Sequence, residues 1–145
     1  MTVSVILKEK GRTILTITAA ASLGEAVTQL ATHRIGAIIV ADAAGKVVEG
    51  IISERDVVRL IAERGTEVLT APLGEVMTRA VITCAPDDTI PNIMETMTNG
   101  RFRHMPVVCK QNGLVGIISI GDVVKFRVEE MERDQAALRD YIMSA

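Results

Sequence analysis

A seven-residue phrase that occurs twice limits what this chain can fold into more than any other feature. Gly50-Ile51-Ile52-Ser53-Glu54-Arg55-Asp56 returns 66 residues later as Gly116-Ile117-Ile118-Ser119-Ile120-Gly121-Asp122. In a chain of 145 residues, such an echo marks one supersecondary unit used twice. Two similar units normally pack face to face and leave two related clefts between them. The echo extends upstream. Leu23, Ala26, Val27 and Leu30 match Ile90, Ile93, Met94 and Met97, both sets at helical spacing. Ser22 with Glu25 reads as a capping box. Thr89 is an N-cap residue type, and Pro91 falls in the first turn, where its missing N–H does no harm.

Two pairs of short, mostly β-branched runs read as strands: Ala37 to Val40 with Met105 to Val108, and Val47 to Ile52 with Leu114 to Ile118. Turn-like residues separate them at Asp42 to Lys46 and Lys110 to Gly113. One more strand is expected ahead of each first helix, at Thr13 to Ile17 and Ala80 to Cys84. Each copy therefore reads strand, helix, strand, strand, helix. The expected fold is α/β (α+β), two βαββα repeats packed pseudo-symmetrically, with boundaries at 5–66 and 72–128 and a C-terminal helical extension at 129–145. The last helix is expected from Asp122 almost to Met143. Its partial apolar stripe (Val124, Val128, Met131, Leu138, Ile142) is too sparse to hold the extension alone, which suggests packing on a partner subunit.

Each half, at roughly 65 residues, would bury a limited fraction of its surface alone, so the halves should be stable only together. Hydrophobic residues make up 48% of the chain and aromatics only 2%, so the core must be built from Ile, Val, Leu, Ala and Met. A net charge of −2 and the lack of an aromatic platform argue against nucleic-acid binding. No apolar run approaches the ~18 residues of a membrane span, and Met1 to Lys8 lacks a signal-peptide layout. The cytoplasm is the expected compartment. Cys84 and Cys109 have no metal-ligand spacing with His33 or His104 and read as reduced thiols. Lys8, Lys10 and Arg12, ahead of the first strand, are expected in solvent, with contact to a phosphate as the minor alternative. With no P-loop, acid cluster or nucleophile–base pair, neither a catalytic nor a metal site is expected.

Ser53-x-x-Asp56 and Ser119-x-x-Asp122 admit two readings. As caps, the serine bonds the N3 amide and the carboxylate complements the helix dipole. As a ligand site, the preceding Gly50 or Gly116 lets another group approach the strand. The aspartate would then accept hydrogen bonds from a vicinal diol, as acidic residues of dinucleotide-binding folds do with ribose.

The doubled GIISxxD phrase resembles the signature of the cystathionine-β-synthase (CBS) domain, and two copies resemble a Bateman module. Arg101-Phe102-Arg103-His104-Met105-Pro106-Val107-Val108 is similar to the family's second-strand entry, and Val76-Met77-Thr78 to the phrase that precedes a repeat. The resemblance covers about residues 5 to 128. It implies a non-catalytic sensor that binds an adenosine nucleotide (AMP, ADP, ATP or NAD(H)) in clefts between the repeats, as a homodimer acting on a separate protein. One cleft would use Ser53, Arg55 and Asp56 with Thr83, Arg103, His104, Met105 and Pro106. The other would use Ser119, Gly121 and Asp122 with Thr16, Gly36, Ala37 and Ile38. Asp56 and Asp122 would each hold a ribose, and Arg55 and Arg103 would meet phosphate. Repeat one departs from the family at Ile39, where proline is usual. The rival readings are a dimerisation scaffold with vestigial clefts, and a nucleotide-processing enzyme using Asp56, Asp122 and His104.

Overall fold

The computed structural model describes residues 1–11 and 14–144. Its first element is a helix that the expectations above lack, α1 (Val3–Lys10). Repeat one follows as β1 (Thr16–Ile17), α2 (Leu23–His33), β2 (Ala37–Ala41), β3 (Val48–Ser53) and α3 (Glu54–Arg64). A 3-10 turn (Thr66–Thr70) and the short α4 (Leu73–Val76) lead into repeat two. That repeat contains α5 (Ile90–Gly100), β4 (His104–Cys109), β5 (Gly113–Ser119) and α6 (Ile120–Ser144). Arg12 and Thr13, the latter the expected start of the first strand, lie outside the described residues.

The caps form as their residue types require. Ser22 Oγ accepts the Glu25 amide while Glu25 returns a carboxylate oxygen to the Ser22 amide. Thr89 Oγ1 accepts the Asn92 amide at 3.4 Å. In repeat one, β1 pairs parallel with β2 and β2 antiparallel with β3. In repeat two, β4 and β5 pair antiparallel. The expected strand at Ala80 to Cys84 is reduced to one parallel bridge, Cys84 with Val107. The residues before it cannot join the edge. Thr78 is still bonded to Ile51 of repeat one in both directions. The chain must therefore use 79–83 to cross to the other half, which leaves Ile82 about half exposed.

Strand β2 is buried along its whole length. Ile38 and Val40 pack on the α2–α3 side of repeat one. Ile39 and Ala41 face the opposite way, into a central cluster with Leu114, Val108 and Ile117 of repeat two. That two-sided burial explains the continuous apolar run Ala37 to Val40. The two halves are also tied through backbone, by the Leu114 amide donating to the Lys46 carbonyl at 2.9 Å.

The leading segments are exchanged. Helix α1 precedes repeat one, yet Val3 and Ile6 sit fully buried in the core of repeat two, with Ile93, Val123 and Phe126. Helix α4 precedes repeat two, yet Leu73, Val76 and Met77 complete the core of repeat one. The backbone bonds repeat this symmetry. Val3 donates to Asp88 and Ile90 to Met1, while Leu73 donates to Ala21 and Leu23 to Ala71. Val3, Ile6 and Leu7 thus stand to repeat two as Leu73, Val76 and Met77 stand to repeat one.

The glycine that opens each phrase is explained by the same exchange. Met77 lies over Gly50 and Leu7 over Gly116, each so close that a Cβ would meet the side chain at 2.5 Å. Helix α3 stops at Gly65, which takes φ 75°, whereas α6 runs on for 25 residues. Its described residues past Glu130 are all exposed.

Candidate functional site

Both phrases close capping boxes at the ends of β3 and β5. Ser53 Oγ accepts the Asp56 amide at 3.2 Å, and Asp56 Oδ2 accepts the Ser53 amide at 2.9 Å. Ser119 and Asp122 repeat these bonds with the same lengths. The cap therefore engages one oxygen of each carboxylate. It does not exhaust the group, because a carboxylate offers about four lone-pair sites.

A cleft of about 250 Å³ opens beside Asp56. It brings Ser53, Arg55 and Asp56 of repeat one against Arg103 and His104 of repeat two. Gly36, placed by the sequence in the other cleft, lines this one too, as do Ile51, Glu54, Thr78, Arg101 and Phe102. Thr83, Met105 and Pro106 are not on its wall. Met105 and Pro106 are buried in β4, and Thr83 is exposed. The free oxygen of Asp56 faces only a long, exposed pair to Arg59, at 3.4 Å. Arg55, Arg101 and Arg103 form no ion pair among the described residues. Three arginines thus line this cleft with Glu54 and Asp56, and none of the three is held in an ion pair among the described residues.

The second cleft, of about 340 Å³, brings Ser119 against Gly36 and Ala37. His104 lines it as well, and a Cβ on Gly36 would lie 3.1 Å from the His104 ring, so the two clefts meet at this seam. Thr16, Ile38, Gly121 and Asp122 are not on its wall. Ile38 is buried on the α2–α3 side of β2. Asp122 is instead engaged by Lys10, whose Nζ donates to Asp122 Oδ2 at 2.8 Å and to the Ile117 carbonyl at 3.0 Å. Lys10 is exposed, as expected, but its ammonium is held by these two acceptors. Burial raises the Asp122 pKa. The hydrogen bond from Lys10 and the Ser119 amide outweigh this and hold it below the usual carboxylate range. His104 is pushed down, first by burial and then by the Lys10 charge, so it is neutral at pH 7. Burial drives the Cys84 thiol up to about 12, which leaves it inert.

Among the wall residues that sequence reasoning missed are Leu7 and Lys10, carried in by the exchanged helix, with Arg34, Glu54, Thr78 and Phe102. Thr78 had a signal in the phrase Val76-Met77-Thr78. Phe102 and Glu54 likewise lie in quoted phrases, whereas Leu7, Lys10 and Arg34 had no signal.

A family model of the CBS domain matches residues 10–63 and 73–129, the two halves described above. The chain belongs to the CBS domain family. It is similar to a CBS-domain containing protein of Agrobacterium tumefaciens, with 46% identity and a TM-score of 0.81 over 87% of this chain and 92% of that one. A CBS domain protein of Pyrobaculum aerophilum, solved in complex with AMP, matches at 29% identity and a TM-score of 0.75, over 84% of this chain and 89% of the other. A CBS domain pair solved with 5′-methylthioadenosine and S-adenosyl-L-methionine matches at 26% identity and a TM-score of 0.78, over 90% and 98%. These CBS pairs carry adenosine compounds as ligands.

Proposed function

We propose that this CBS pair is a non-catalytic regulatory sensor for an adenosine nucleotide, with AMP as the ligand and the Asp56 cleft as the principal site. One observation carries the reading. A carboxylate oxygen left free by its cap stands at the inter-repeat seam in a cleft also lined by Arg55, Arg101 and Arg103, which form no ion pair among the described residues. The carboxylate suits a ribose diol, and the guanidinium groups suit a phosphate. Relatives solved with AMP, 5′-methylthioadenosine and S-adenosyl-L-methionine support the adenosine class. At ~0.3 kcal/mol per heavy atom, a mononucleotide binds with ~7 kcal/mol, a Kd on the order of 10 μM. That strength suits a sensor whose occupancy follows ligand concentration.

Calorimetry on ligand-stripped protein tests the site. AMP should bind in the micromolar range. Asp56→Ala should weaken the tight step at least about tenfold, by removing a charge-assisted acceptor worth roughly 1.5–3 kcal/mol. Heat-free titrations with AMP, ADP, ATP, NAD(H) and S-adenosylmethionine would instead support a dimerisation scaffold. Nucleotide turnover lost in Asp56→Ala would support an enzyme.

The regulated target would be a separate cytoplasmic protein, approached by a homodimer. Val58 on α3 and Val124 on α6 occupy matching positions in the two repeats and are both exposed, at 68% and 45%. The α6 stripe adds Val128, Met131 and Leu138, also exposed. Sedimentation should report a dimer, and deletion of residues 131–145 should loosen it. A monomer whose stability is unchanged by the deletion would remove the dimer from this reading.

A further inference from the structure

We propose that Lys10 is a specificity-determining residue. It competes with a ribose diol for Asp122, so the two clefts fill unequally, the Asp56 cleft first. The inference rests on the adenosine-nucleotide reading above.

The two carboxylates are alike in sequence, cap geometry and exposure, at 20% for Asp56 and 23% for Asp122. They differ in what reaches them from the exchanged segment. The correspondence of Val3, Ile6 and Leu7 with Leu73, Val76 and Met77 places Lys10 opposite Ala80. Alanine has no group to offer Asp56. Lysine bonds Asp122 at 2.8 Å and is fixed by a second bond to the Ile117 carbonyl. The Asp122 oxygen it takes is the one already used by the Ser119 amide.

The lysine is presented by a rigid arm. Val3 and Ile6 are fully buried, so α1 delivers Lys10 to the same place each time. An intramolecular competitor of this kind has a high effective concentration. Its bond is still one to displace. The Lys10 side chain is 37% exposed, and half-solvated pairs are individually weak. The ligand affinity falls by the fraction of time that Asp122 is free. Lys10 also lines the 340 Å³ cleft, so an entering nucleotide meets this side chain there.

Two effects of Lys10 oppose each other, competition for the diol and attraction for a phosphate. Probes without phosphate separate them. Adenosine carries the diol, and 2′-deoxyadenosine lacks it. With AMP, calorimetry on the wild-type chain should show one tight step and one weak step. Lys10→Met should tighten the weak step about five- to tenfold, and the gain should vanish in Lys10→Met with Asp122→Ala. Adenosine should show the gain, and 2′-deoxyadenosine should not. Lys10→Gln, which keeps length and polarity, should behave as Lys10→Met.

Wild-type protein filling both clefts with equal affinity would overturn the inference. So would a weak step that Lys10→Met leaves unchanged or weakens, or an equal gain for 2′-deoxyadenosine. If the tight step responds to Asp56→Ala while the weak step ignores Lys10, this inference alone falls. Silence at both clefts in every variant removes the nucleotide reading and this inference with it.

Discussion

Replacing Ile6 with alanine is expected to cost about 2–5 kcal/mol of stability, the usual range for truncating a fully buried isoleucine. Ile6 is 0% exposed and packs in the core of repeat two, beside Phe126 and Val123. The loss should therefore appear far from it in sequence. Denaturant melts give the size. Native-state amide exchange gives the place, with β4 and β5 losing protection before β2 and β3. A cost below about 1 kcal/mol, or earlier opening of repeat one, would mean that α1 is not part of that core. Against a total of roughly 5–15 kcal/mol for a domain, this one residue decides whether the second half stays folded.

The second large effect is at Gly50. An alanine Cβ there would lie 2.5 Å from Met77 Sδ, 2.8 Å from Met77 Cγ and 2.9 Å from the Thr78 carbonyl oxygen. The methionine can swing away. The carbonyl cannot, because it accepts the Ile51 amide at 3.0 Å. Gly50→Ala should destabilise by about 1–3 kcal/mol, the cost of overpacking. At Gly116 the close atoms all belong to the end of the Leu7 side chain, which can give way. Thermal melts should rank Gly50→Ala clearly below Gly116→Ala. Equal melting points would show that the backbone at Thr78 yields as easily as a side chain.

The repeat made most of the fold legible. A phrase used twice, flanked by helical spacing and two caps, locates α2, α3, α5 and the four long strands within a residue or two. What escaped was carried by the partner repeat. Helix α1 has one buried pair, Val3 and Ile6, which is too little to show as a periodic face in eight residues. The strand expected at Ala80 to Cys84 failed for a tertiary reason, since those residues must bridge from Ile51 to Val107. At the clefts, Ser53, Arg55, Asp56, Arg103 and His104 come together from two repeats. Thr83 is exposed, and Met105 and Pro106 are buried within β4, so none of the three lines that wall. Lys10 could not be found by pairing the repeats in register, because it belongs to the arm that crosses over.

That crossing over has a consequence for how the protein can be divided. Severed near Gly65, each fragment would keep the arm that its sibling lacks and miss the one that it needs. Neither piece could fill its own interior, but mixed together they could complete one another. The link from Thr66 to Pro72 is then less a boundary between two folding units than a tether holding a reciprocal embrace at high local concentration.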